Sequence, residues 1–282
     1  MSASEIRQRK VVGKLLLYAL VLVGILVVLF PVFYAISLSL RYSEDVLLVP
    51  PRLLPPRFTL SGYIGMIKLL DVPGYIRNTV VVTAGATAIA VVFAGLAAYA
   101  FARFRFRFAG PLMLLLLVSQ MFPGASTFVP LFQLLRSLKL YDTHAGLVFI
   151  YTGFTIPFCT WMLYGYFRTI PSALEEAALI DGCSRLGALL RVIVPLVLPG
   201  IAATAVFVML ACWNDFTFAI LFIQSERLRT ITPGLALFVG QWKAQLSALT
   251  AAAIAASVPP LIAFALVRRY FISGLVAGAL KG

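Results

Sequence analysis

The sequence predicts an all-α, polytopic membrane protein, and three observations carry that prediction. Of the 282 residues 62% are hydrophobic and only 12% charged, against about a quarter charged in a soluble globule; the mean hydropathy is +1.01. The charges cluster, leaving six windows without Asp, Glu, Lys or Arg at 15–40, 78–102, 108–135, 145–167, 192–214 and 244–267. A bilayer core takes roughly 20 apolar residues of helix, so each window suffices for one crossing and none for two. None shows the alternation of a membrane barrel strand. Six transmembrane helices in a single membrane domain over 1–282 are expected.

The elements follow in order. The arm with Arg7, Arg9, Lys10 and Lys14 resembles a signal peptide's basic start, but the apolar window behind it is long and lacks a clear cleavage site, so it reads as a retained first helix. Pro50, Pro51, Pro55, Pro56 and Pro73 argue that 41–77 is an extended cap on the outer face. The second window runs into "RFRFRF", a tight basic turn. Thirteen Lys and Arg fall on the side of the two termini and ten on the other. With "RFRFRF" in a short loop, the positive-inside rule places both termini, and the loop after the fourth span, in the cytoplasm.

That loop, "PSALEEAALIDGCSRLGALLRVIVP" at 171–195, is polar and helix-forming between two apolar segments. Ser172 and Glu175 have the spacing of a capping box, with a helix starting at Ala173. Gly182 suits a left-handed helix end. Ser184 can cap a second helix over 185–194, and Pro195 marks a break before the fifth span. Ala177 and Ala178 permit close approach, while Glu175, Glu176 and Asp181 offer exposed carboxylates. The unit reads as a rigid knob that passes force to a cytoplasmic partner, or as a well-capped connecting loop.

Polar groups near the apolar windows carry alternatives. Asp215 in "WNDF", with Asn214 beside it, is an outer gate or partner contact, or else satisfies a helix end. Asn78 and Gln120 face a solute path or bind neighbouring helices together. His144 reads as a loop histidine at a helix start. The loop 225–243 lies on the membrane surface, with Trp242 at the headgroups, or meets a partner.

Several classes are excluded. Cys159, Cys183 and Cys212 suit neither a disulfide framework nor a metal set. The net charge of +13 sits at helix ends, where headgroups explain it, so no nucleic-acid partner is expected. No catalytic constellation is available for a membrane-embedded enzyme. A gradient-driven secondary transporter is the alternative function, but it calls for ionisable groups inside the spans, and the windows hold none. No G-x-x-x-x-G-K-[ST] occurs, so ATP energy, if used, comes from another chain.

"EEAALIDGCSRLGALLRVIVP" resembles the EAA loop of ABC importer permeases: Glu176, Ala177, Ala178, then Gly182, then Val192, Val194 and Pro195, with Val in place of the pattern's Ile and Leu. "AAYAFARFRFRF", "QMFP", "WNDF" and "GLVAGALKG" are similar to the smaller permease subunit of maltose-type carbohydrate importers. The resemblance implies a type I importer: a second, different permease subunit, two ATPase subunits that bind ATP and Mg, and an extracytoplasmic binding protein delivering a sugar or related polyol. The chain itself holds no cofactor or metal and sits, multi-pass, in a bacterial or archaeal plasma membrane among lipid. ATPase coupling falls to Glu175, Glu176, Ala177, Ala178, Asp181 and Gly182; the path or outer gate falls to Asn78, Gln120, Asn214 and Asp215.

Overall fold

The structure is a computed structural model that describes the backbone of residues 3–122, 124–241 and 245–279 and the side chains of 13–122, 124–238 and 245–268. Trp242 lies outside the described residues. Thirteen α-helices and no strand occur among them. The chain divides into two compact units, Met1–Asp71 with Leu237–Ala255, and Val72–Ala236 with Ala256–Gly282.

In the first unit α1 (Ala3–Ser39) is one long helix. Its apolar side chains from Leu15 to Phe33 are nearly all exposed. Only its end is buried: Ser37 Oγ donates to the Leu53 carbonyl at 2.6 Å, and the enclosed Arg41 guanidinium donates to Ser37 Oγ at 2.9 Å. The following segment is less extended than its prolines suggested. It holds α2 (Ser43–Val46) and α3 (Ser61–Lys68), with irregular stretches at 47–60 and 69–71, and Pro73 lies in the first turn of the next helix. Proline constrains its own neighbourhood, and "SGYIGMIK" lies clear of it. A Cβ at Gly62 would stand 2.6 Å from the Ser247 carbonyl oxygen, so glycine is what lets α3 approach that backbone.

The second unit is built on α4 (Val72–Arg103). Val82, Ala86, Ala90, Ala94 and Ala98 recur every four residues and are wholly buried. Small side chains on one helix face let backbones approach closely, which is how helices associate where lipid removes the hydrophobic drive. α4 packs most extensively on the helix His144–Thr169 and then on the helix Val194–Asn214.

The third window does not form one straight span. α5 (Ala109–Ser119) and α6 (Phe128–Ser137) are separated by a 3₁₀ turn at Gly124–Thr127 and bent by 97°. Absence of charge reports an apolar segment, not its direction. α7 (His144–Thr169) follows, then α8 (Ser172–Ile180) and α9 (Arg185–Ala188). Among the described residues five helices are long and apolar enough to cross a membrane, or six if the bent pair counts as one.

Pro195 does not separate a surface helix from a span. A π-helical segment, Leu189–Ile193, joins α9 to α10 (Val194–Asn214), with the Val194 N–H bonded to the Leu189 carbonyl. Pro195 lies at the start of α10, where a missing N–H is tolerated, and the wider π turn absorbs the irregularity. α11 (Thr217–Phe222), α12 (Ile231–Gln241) and α13 (Leu246–Ala279) complete the chain. Three buried hydroxyls are satisfied within their own helices: Thr83 bonds the Thr79 carbonyl, Thr160 that of Ile156 and Thr204 that of Gly200, whereas those of Thr87, Thr152 and Thr230 complete no hydrogen bond.

Candidate functional site

The elbow between α7 and α10 forms as a short helix, turn and short helix. α8 begins at Ser172 with Pro171 before it and no side-chain cap, so the capping box is absent. The reason is tertiary: the Glu175 side chain is buried beneath the helix and cannot also reach back along it. Gly182 has φ +87° and turns the chain, with the Cys183 N–H bonded to the Ala178 carbonyl at 3.0 Å. Ser184 Oγ accepts from the Gly187 N–H at 3.1 Å and caps α9.

The elbow's two faces differ. Glu176, Ala177, Ile180, Asp181 and Gly182 are exposed, Ile180 by 85%, whereas Glu175 and Ala178 are the buried residues of α8. Glu175 is therefore not one of the exposed carboxylates that its sequence suggested. Its Oε1 accepts from the Tyr99 hydroxyl, and its Oε2 lies 3.0 Å from Arg103 Nε. That second contact is an ion pair whose N–H is not aligned along it, since neither atom completes a hydrogen bond. Arg103 Nη2 donates to the Ile170 carbonyl at 3.0 Å, just before Pro171. Phe104 packs edge-on to Tyr99, and Arg185 of α9 stacks its guanidinium 5.4 Å from the Phe104 ring centroid. Tyr99 and Arg103, one turn apart on α4, were not singled out from sequence. An aromatic hydroxyl and a cation at i and i+4 on a helix end were the available signal.

The expected path or gate residues do not converge. Asn78 is buried, and its amide donates to the carbonyls of Arg227 and Arg229 at 2.8 and 3.0 Å. Thr79 Oγ1 accepts from the Ile231 N–H at 2.9 Å. The same loop is gripped from α7: His144 Nε2 stands 3.0 Å from the Leu228 carbonyl, and because a carbonyl only accepts, that nitrogen is the donor. His144 is at the start of α7, as expected, and from there anchors a neighbouring loop. Asp142 accepts from the N–H groups of Gln224 and Ser225 at 2.8 and 2.9 Å and from the Ser225 hydroxyl. Burial on its own raises this carboxyl, and the Ser225 and Gln224 donors more than offset it, holding it below the usual aspartate value.

Asp215 closes a helix end. Its Oδ2 accepts from the Ala219 N–H at 3.0 Å, at the start of α11, and from the Tyr151 hydroxyl at 2.8 Å. Asn214 bonds back to the Leu210 carbonyl at 2.8 Å with its side chain exposed. Gln120 donates to the Phe154 carbonyl at 2.9 Å, beside a cavity of about 190 Å³ between the end of α5 and α7. A larger cavity of about 550 Å³ lies among α4, α10 and the Pro259–Val267 stretch of α13; apart from Thr83, Thr87 and the Trp213 indole its wall is aliphatic, poorly matched to a sugar's hydroxyls. Among the described residues no three His, Cys, Asp or Glu gather as a metal site.

Residues 90–275 match the family described as "Binding-protein-dependent transport system inner membrane component". Over 278 residues, 98% of this chain and 99% of the relative, the sequence is 34% identical to the trehalose/maltose transport system permease protein MalG of Thermococcus litoralis. It is 32% identical, over 90% of this chain and 89% of the relative, to the sulfoquinovosyl glycerol transport system permease protein SmoH of Agrobacterium fabrum. The fold is similar to a chain in the crystal structure of a bacterial ABC transporter involved in the import of the acidic polysaccharide alginate, with a TM-score of 0.77, 23% identity, and coverage of 96% of this chain and 99% of that one.

Proposed function

This chain belongs to the family of binding-protein-dependent transport system inner membrane components, and from that membership we propose how its elbow is used. The chain is a permease subunit of a carbohydrate ABC importer, and the gradient-driven alternative is set aside. In our reading the elbow lies in the cytoplasm with both termini, and one of two ATPase subunits, holding ATP and Mg, seats on it. A second, different permease completes the path, and a binding protein delivers a sugar or small polyol from outside. The trehalose/maltose and sulfoquinovosyl glycerol relatives support that substrate class.

The observation that carries the docking role is the elbow's exposed face. Leu174, Ile180 and Leu186 present apolar surface beside Glu176 and Asp181 on a helix pair fixed by Gly182 and the Ser184 cap. Apolar anchors rimmed by charge on a rigid element are the composition of a protein docking surface. The exposed apolar flank of α1 supports a neighbouring subunit or lipid along that helix.

The test is cross-linking from Ile180→Cys in native membranes, with Cys159, Cys183 and Cys212 replaced. Ala178 is buried and makes a poorer probe. A mass-identified adduct with an ATP-binding subunit, its yield altered by nucleotide, is expected. A thiol that reacts with small reagents from the cytoplasmic side yet captures no ATPase refutes the docking role.

A further inference from the structure

The exposed face of the elbow explains how a partner could sit on it, but not how motion of α8 reaches the transmembrane helices. The buried residues of α8 are Ala178, a single methyl group, and Glu175. A methyl contact can slide. Glu175 cannot, because both carboxylate oxygens are held from α4, Oε1 by the Tyr99 hydroxyl and Oε2 by Arg103 Nε at 3.0 Å. Arg103 also holds the Ile170 carbonyl at 3.0 Å, so one guanidinium grips the chain on both sides of Pro171. The three side chains are largely shielded from water, and their attraction is little screened there. The Arg185 to Phe104 contact braces the other limb of the elbow against the turn that follows α4.

We infer that Tyr99, Arg103 and Glu175 form a latch that makes α8 and α4 move as one body, with Glu175 a positioning residue that faces the membrane helices rather than the partner. The inference rests on the docking role proposed above and adds the route by which displacement passes inward. α4 carries the alanine stripe packed on α7, so a displacement delivered at Glu175 enters the most extensive helix contact of the second unit.

The experiment uses the full importer with its ATPase subunits in lipid nanodiscs, and nucleotide rather than sugar as the probe. An environment-sensitive fluorophore at Val81→Cys, exposed near the opposite end of α4, reports the helix when ATP and vanadate are added. Cross-linking from Ile180→Cys reports docking separately. In the parent protein nucleotide changes both signals. With Glu175→Gln or Arg103→Gln the adduct persists while the Val81→Cys response falls at least threefold; Arg103→Lys, which keeps the cation, retains more of it than Arg103→Gln. Tyr99→Phe, which leaves the ion pair in place, gives a smaller loss and serves if the charge variants do not fold. A full Val81→Cys response in folded Glu175→Gln, or equal loss in Arg103→Lys and Arg103→Gln, overturns the latch while docking stands. No adduct in the parent protein overturns the docking role and the latch with it.

Discussion

The two ends of α4 hold their neighbours by different chemistry. At the Asn78 end, neutral groups bond to main chain: the Asn78 amide takes two carbonyls, and Thr79 takes the Ile231 N–H. At the Arg103 end, a buried charge pair and a phenol hold a side chain. Bonds to main chain read the path of a loop and tolerate almost any sequence in it. A carboxylate held by a guanidinium demands one partner, and loss of either leaves a buried charge behind. The first arrangement suits a loop that must keep its shape. The second suits a connection whose identity matters.

Glu175→Ala should show the largest effect, because it strands the Arg103 guanidinium under α8. A loss of about 3–5 kcal/mol is expected, read as a lower thermal unfolding midpoint of the detergent-purified importer. A loss no greater than that of Asn78→Ala breaks the contrast between the ends.

Asn78→Ala should cost about 1–2 kcal/mol by leaving two carbonyls short of a donor. Trypsin sites at Arg227 and Arg229 lie in the released loop, so cleavage there should accelerate about tenfold if it follows the open population. Unchanged cleavage means the loop is held by its other bonds alone.

The Asp142 contribution should depend on pH. Its folded carboxyl titrates below the ordinary 3.8, so its stabilisation is complete above that value and is lost as pH falls through the depressed folded value. Unfolding midpoints of the parent and Asp142→Asn proteins should differ at pH 7 and draw together as the pH is lowered below 3.8 and through the depressed folded value. A constant difference removes the carboxylate from the account.

Arg57→Ala should do least. Arg57 is exposed and pairs with the exposed Glu44 at 2.6 Å and with the buried Asp45 at 3.2 Å, so water reaches the guanidinium in both contacts and screens the attraction. Its unfolding midpoint should fall far less than that of Glu175→Ala, which sharpens the contrast by showing that burial of both partners, and not ionic pairing as such, gives the Arg103 contact its weight.

The sequence made the membrane class plain because charge-free length is a one-dimensional property. The windows at 78–102, 145–167 and 192–214 all lie within helices that the structure contains. The window at 108–135 failed as a straight span because a bend depends on local turn geometry at Gly124–Thr127, which lack of charge does not encode. The elbow was legible from Gly182 and Ser184, whose roles are local. Glu175 was misread for the converse reason: Ser172-x-x-Glu175 is a valid local pattern, and a buried partner on a distant helix overrode it. Asn78 and Asp215 were visible as polar residues beside apolar runs, but the carbonyls and N–H groups they serve are main-chain atoms that leave no trace in residue identity.

The alanine stripe on α4 has a consequence for rate. Ala86, Ala90, Ala94 and Ala98 have no side-chain rotamers, so when α4 shifts against its neighbours these methyl groups have nothing to repack. Interdigitated leucines would have to withdraw from one set of wells and settle into another before the helix could travel. A seam of methyl groups leaves only the facing side chains, such as Leu147, Ile150 and Leu163, to readjust, and so lowers the barrier to movement along the length of the helix.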